Sequence, residues 1–172
     1  MAFYSSGVEY GIHCLVNMID EQGIAQIMTV REAAKLQGVP YDYLGKIFTK
    51  LAKAGLVESS EGRKGGYKLA RSSASISVLD IVVAIDGNKA TFECKEIRQR
   101  MDIFTDDKPD WACQGMCGIH TVMQQAQQKM DEELASHSIL QLAQQLHSKS
   151  HDTYDIEVKA WFESQRNKTK PA

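Results

Sequence analysis

Residues 29–71 constrain this chain more than any other stretch, because their punctuation allows a helix, a tight turn, a second helix and a short hairpin in that order. Thr29 offers a hydroxyl to a free N–H, and Glu32 three residues on can reach back, the signature of a capping box. Gly38 closes that first helix, as the residue that best takes a left-handed turn. Pro40 suits the opening of the next helix and Asp42 its positive end. Leu44, Ile47, Phe48 and Leu51 then recur at i, i+3, i+4 and i+7, which makes them the buried face. Tyr43, Lys46, Lys50 and Lys53 fall away from that face, together with Gly45.

The hairpin follows from two short apolar and alternating runs, 56–60 and 66–69, separated by Glu61-Gly62-Arg63-Lys64-Gly65. Two helices with cations on the outer face of the second form the arrangement that fits the DNA major groove. A hairpin with Arg63 and Lys64 at its tip is a wing that can touch phosphate. Residues 29–71 hold nine Lys and Arg against four acids, a net charge of +5, in a chain whose total is −2. The rest of the chain is therefore −7, and such asymmetry is an electrostatic footprint for a polyanion.

The remaining sequence supplies the frame. Its 172 residues, 43% of them hydrophobic, suffice for one compact domain plus an extension. Residues 5–21 read as an amphipathic first helix with Val8, Ile12, Leu15, Val16 and Ile19 inward and Gly23 at its end. Glu9 and His13 form a surface pair one turn apart, and Cys14 is a core thiol. Residues 72–75 read as a polar hinge and 78–85 as a short buried helix ended by Asp86-Gly87. Residues 119–135 carry Ile119, Val122, Met123, Ala126, Met130 and Leu134 at helical spacing. So long a stripe outside the helix-turn-helix wants a partner, and a second copy of the chain fits it. A further helix begins near Ser138. Beyond Lys149 the chain is polar, relieved mainly by Tyr154, Ile156, Val158, Trp161 and Phe162, so part of this tail is expected to dock and residues 167–172 to fray. Nothing resembles a signal peptide or a membrane span, so the expected location is the cytoplasm.

Three cysteines lie between these helices: Cys94, then eighteen residues, Cys113, three residues, Cys117, two residues and His120. Pro109 keeps the segment ahead of Cys113 out of a long helix, which puts Cys113 and Cys117 on a loop. Thiolates with an imidazole suit zinc, a cuprous ion or an iron–sulfur cluster. The spacing leaves a metal or cluster, a thiol switch and inert cysteines all open. No Cys-x-x-Cys redox pair and no nucleotide-binding glycine motif is present, so nothing here points to an enzyme.

On these residues the chain resembles the IscR/NsrR/RsrR-type (Rrf) family of bacterial winged-helix regulators. The resemblance spans roughly residues 1–145. It rests on Ser5-Ser6-Gly7-Val8-Glu9-Tyr10, on Tyr43-Leu44 with Ile47-Phe48 and Leu51, on Gly55-Leu56-Val57 and on Gly62-Arg63-Lys64-Gly65-Gly66-Tyr67. The cysteines ahead of the long helix belong to it too.

The resemblance implies a mainly α fold. Residues 1–87 would be a winged helix-turn-helix domain with a small β-hairpin wing, and 88–118 a cysteine-containing cluster loop. Residues 119–149 would be a long C-terminal dimerisation helix with the short helix after it, and 150–172 a tail. It implies a homodimer that binds a double-stranded DNA operator, with no membrane partner. Thr29, Tyr41, Tyr43, Lys46, Lys50, Arg63, Lys64, Gly65 and Tyr67 would form the DNA surface. It also implies an iron–sulfur cluster, 2Fe–2S ahead of 4Fe–4S, held by Cys94, Cys113 and Cys117. The fourth ligand would be His120 or Glu9, the latter standing where other members supply a carboxylate from the partner subunit. The long gap before Cys113 departs from the commonest family pattern. It leaves open a mixed set of Glu9, His120, Cys113 and Cys117.

Overall fold

The structure, a computed structural model, describes residues 2–20, 22–60, 62, 65–104, 108–149 and 154–168. Helix α1, Ser6–Val16, buries Val8, Cys14, Leu15 and Val16. It is shorter than its apolar pattern suggests and stops at Asn17 rather than at Gly23. The Asp20 carboxylate accepts from the N–H groups of Gln22 (3.1 Å) and Ile24 (2.9 Å), which turns the chain back on itself. A local side-chain acceptor of this kind competes with the helix for the backbone. Ile19 then bridges Ala25, and Met18 and Ile19 reach the core from the turn instead of from a helix.

Helix α2, Val30–Gln37, opens on a complete capping box between Thr29 and Glu32 and closes at Gly38 with φ +65°. Helix α3, Tyr41–Lys53, follows Pro40 and buries Leu44, Ile47, Phe48 and Leu51. Strands β1, Val57–Ser60, and β2, Gly66–Leu69, pair antiparallel with Val57 opposite Leu69 and Ser60 opposite Gly66. The polar residues after the hairpin form a 3₁₀ turn, Ser73–Ser75, with Ser73 buried rather than a solvated hinge. Helix α4, Val78–Asp86, carries its own capping box (Ser77, Asp80), buries Ile81, Val82 and Ile85, and ends at Gly87.

The core lies where α1, α3 and α4 meet, with α2 against α3. Gly11 lies at the contact of α1 and α4, where a Cβ would stand 2.4 Å from Ile85 Cδ1 and make the end of that side chain turn aside. Helix α7, Ile139–Lys149, packs on α1 and the 3₁₀ turn through Ile139 and Ala143. Helix α8, Tyr154–Lys168, buries Phe162 in the same core. Of residues 167–172, expected to fray, 167 and 168 continue α8 and 169–172 lie outside the described residues.

The chain divides into two compact units, Met1–Asn88 with Leu134–Ala172, and Lys89–Glu133. The second holds a 3₁₀ turn, Ile97–Gln99, a short helix α5, Asp110–Cys113, and most of α6, Gly118–Ser136. No helix among the described residues is long and apolar enough to cross a membrane.

Candidate nucleic-acid interface and cysteine unit

The outer face of α3 is assembled by the packing of its inner one. With Leu44, Phe48 and Leu51 fully buried, Tyr41 (55% exposed) and Tyr43 (40%) stand at its N-terminal turn, and Lys46, Thr49 and Lys53 lie along it in solvent. The Tyr43 ring meets Tyr10 of α1 edge-on at 6.0 Å, which fixes its direction. Lys50 is held differently: its Nζ donates to the Ile85 carbonyl at 2.5 Å. There it neutralises the negative end of α4. Thr29 is likewise engaged, its Oγ1 accepting from Glu32 N (3.1 Å) and donating to Glu32 Oε2 (2.8 Å).

The wing is joined to the domain through a third, short segment. Met28 and Tyr67 exchange both backbone hydrogen bonds, at 2.9 and 2.8 Å, and the Tyr67 ring lies 4.8 Å from that of Phe48. A Cβ on Gly66 would fall 2.8 Å from the Met28 carbonyl oxygen, which is the physical reason for glycine before Tyr67. Gly65 N–H closes a turn on Gly62 O at 2.8 Å. Arg63 and Lys64 lie outside the described residues.

A contact that the sequence pattern did not reveal holds the start of α2. Arg166 of α8 donates through Nε to Glu32 Oε1 at 2.8 Å and through Nη2 to the Ile27 carbonyl at 2.7 Å. Lys35 reaches Gln165 at 2.7 Å alongside it. The capping carboxylate therefore serves two helices distant in sequence.

In the second unit Cys113 closes α5 rather than standing on a loop, and the Cys117 carbonyl accepts the Thr121 N–H at 2.9 Å, so Cys117 opens α6. Cys94 and Cys117 are half-buried, Cys113 is exposed, and all are free. His120 is half-buried, its ring 6.2 Å from Phe92, two residues before Cys94. The donor types suit iron–sulfur chemistry. Yet among the described residues no group of three or more His, Cys, Asp or Glu side chains is gathered as a metal site. Glu9 belongs to the first unit, exposed on α1 with His13, and no ion pair joins the two. Cys14 is fully buried, and burial raises its thiol pKa to about 12 against the opposing hydrogen bond from Gln37.

Two helices crossing on a small helical core, the second presenting tyrosines and lysines to solvent and followed by an antiparallel hairpin, define a winged helix-turn-helix protein. The model of the Rrf2 family, described as an iron-dependent transcriptional regulator, matches residues 4–145. The chain belongs to the Rrf2 family of transcription regulators, whose members are not enzymes. It is 37% identical over 87 residues to Protein rrf2 of Nitratidesulfovibrio vulgaris, covering 51% of this chain and 57% of that one. The chain spans little more than half the length of the curated relatives it matches. Among solved structures it is similar to T. potens IscR (TM-score 0.62, 20% identity, 87% of this chain and 93% of that one). It is also similar to CymR, the global cysteine regulator of B. subtilis (TM-score 0.59, 22% identity, 83% and 97%). At these identities the structural likeness shows the fold.

Proposed function

We propose that the chain acts as a cytoplasmic homodimer that binds a double-stranded operator and whose affinity is set by the cysteine unit. The observation that carries this reading is the division of labour between the two units. One presents Tyr41, Tyr43, Lys46 and Lys53 on a helix-turn-helix, with Arg63, Lys64 and Gly65 in the wing sequence. The other bears three free thiols and His120. Thr29, Lys50 and Tyr67 serve the DNA surface by holding its elements in place, and Lys50 keeps the charge that a nearby phosphate would meet. The dimer is supported by the second unit itself. Ile119 and Val122 of α6 are 67% and 63% exposed, and α6 buries no residue within one chain. An uncovered apolar face of that length marks an association surface.

The cofactor in this reading is an iron–sulfur cluster, 2Fe–2S ahead of 4Fe–4S, with Cys94, Cys113 and Cys117 as ligands and His120 or Glu9 as the fourth. It is supported by the soft donor set and by the iron-dependent description of the family. When bound, such a cluster supplies a redox change at the unit that carries it. A second reading is the same fold without a cluster, acting through a thiol switch on the same cysteines or under the control of a partner; the three free thiols of the second unit are equally compatible with it.

Anaerobic purification with iron and sulfide assays and a visible spectrum separates the two. The cluster reading expects iron and sulfide together, lost in Cys113→Ser and Cys117→Ser. Retention in Cys94→Ser with loss in both Glu9→Ala and His120→Ala would select the mixed ligand set. Protein free of iron and sulfide in every anaerobic preparation would leave the thiol switch.

A further inference from the structure

Between Cys94 and the Cys113–Cys117 turn lies one side chain that ties the two segments together. Arg98, four residues after Cys94 in the turn Ile97–Gln99, extends its guanidinium across the unit. Its Nη1 donates to the Gln114 carbonyl at 3.2 Å and its Nη2 to the Gly115 carbonyl. Those two oxygens belong to successive residues inside the Cys113-x-x-x-Cys117 spacing. The guanidinium fork therefore grips the backbone of the loop that sets the separation of the two thiols. Only 20% of the Arg98 side chain is exposed, and its Nε lies 3.6 Å from the Glu96 carboxylate, an ion-pair distance.

The anchoring side is specialised too. Glu96 is the one non-glycine among the described residues with positive φ (51°, ψ 44°). That left-handed conformation is disfavoured for a residue with a Cβ. It is kept in place by two hydrogen bonds and an ion pair. The Gln99 N–H donates to the Glu96 carbonyl at 3.0 Å, the Gln99 amide reaches the Glu96 carboxylate at 3.3 Å, and Arg98 pairs with the same carboxylate. Gly115, at φ +67°, lets the gripped turn present its carbonyls. Arginine is the residue that fits this task, since a planar fork can serve two adjacent acceptors and a lysine ammonium offers no matching geometry.

We infer that Arg98 is a positioning residue for the sensing unit: it clamps the 113–117 turn to the Cys94 segment and so sets how accessible and how far apart the thiols are. This rests on the reading of the cysteine unit as the sensor, whether by cluster or by thiol switch. The clamp itself is a property of the ligand-free polypeptide. A signal that displaced Arg98 from the two carbonyls would release the turn that leads directly into α6.

The test uses the full chain, reduced and metal-free, with alkylation by iodoacetamide followed at each cysteine by peptide mass spectrometry. In Arg98→Ala, Cys117 is expected to react roughly two to ten times faster than in the parent, the range corresponding to one net hydrogen bond. Cys14 should stay unreactive, and added methylguanidinium should restore the slower rate. Arg98→Lys keeps the positive charge but not the fork, and its rate should fall between the two; it also serves if the alanine variant does not fold. Equal Cys117 rates in all three proteins would overturn the proposal. So would Cys14 reacting in step with Cys117 in both variants, because the loss would then be of the whole fold. Iron and sulfide measured in parallel on the anaerobic parent report the cluster reading separately, since the alkylation rates need no cluster.

Discussion

Gly66→Ala is the sharpest perturbation of the wing, because it adds one methyl group where the backbone leaves no room. The new Cβ would lie 2.8 Å from the Met28 carbonyl oxygen and 3.0 Å from Ile27 Cγ2, where ordinary contact begins near 3.4 Å. Met28 cannot step aside freely. Its N–H and C=O are both bonded to Tyr67, the neighbour of the altered residue, at 2.9 and 2.8 Å. Overpacking of this kind costs about 1–3 kcal/mol, and weakening two backbone bonds adds about 1 kcal/mol more. The expected loss of about 2–4 kcal/mol lowers Tm by roughly 5–12 °C in a chain of this size. Gly45→Ala is the control. It sits inside α3 with its nearest neighbour, Val30 Cγ1, at 4.0 Å, so alanine should stabilise the helix by about 0.5–1 kcal/mol. Thermal unfolding at fixed protein concentration, followed by far-UV circular dichroism, measures both. A Gly66→Ala protein as stable as the parent would refute the close approach of 28 to 66 and the joining of wing to domain built on it.

Other perturbations bear on separate parts of the account. Arg166→Ala removes a charge-assisted bond to a carboxylate that is 8% exposed, and because the guanidinium itself is 42% exposed the expected cost is only about 1 kcal/mol. Phe162→Ala should cost more, about 3 kcal/mol, and denaturant titration would show equal costs if α8 were not docked. The Cys14 thiol has a folded pKa raised to about 12 from 9.0, so between those pH values the folded state keeps a proton that the unfolded state has lost. Stability should therefore fall with rising pH above about 9, by up to ~1.4 kcal/mol per unit, and Cys14→Ala should flatten that slope in urea titrations. Met123→Asp places a charge on the α6 stripe. Sedimentation should show monomer at micromolar protein, and a persistent dimer would move the association surface elsewhere.

Local chemistry made the helix-turn-helix legible. The Thr29–Glu32 box, the left-handed Gly38 and the Leu44-Ile47-Phe48-Leu51 stripe are decided by residues within a few positions of one another, and the structure shows each of them. The same holds for α4, whose Asp86-Gly87 ending is visible in the sequence. What escaped depends on groups far apart. The end of α1 is set by the Asp20 carboxylate and a bridge to Ala25, where apolar periodicity continued past it. The lysines of α3 look equivalent on a helical wheel, yet Lys50 is drawn to the carbonyl end of α4. Arg166 and Glu32 are 134 residues apart, and nothing in either neighbourhood announces their meeting. In the cysteine unit the positions of the three thiols and His120 were legible, whereas the Arg98 fork and the left-handed Glu96 were not. Arginine and glutamate on a polar loop carry no signal of what they grip.

Whether the cysteine unit sets DNA affinity is read from binding to a selected duplex, with that unit intact and then altered. Protein purified without oxygen would be used to enrich binding sites from a random duplex library. Fluorescence anisotropy would then give Kd for the enriched duplex and for random DNA at several salt concentrations, before and after air oxidation. A dimer controlled by its cysteine unit should yield an enriched site with two-fold related halves, affinity that falls steeply with salt, and a change of about fivefold or more on oxidation, the lower end of usual coupling between sites. Cys113→Ser should abolish that change while leaving salt-dependent DNA binding in place. No enriched sequence, or one bound equally before and after oxidation, would contradict that control.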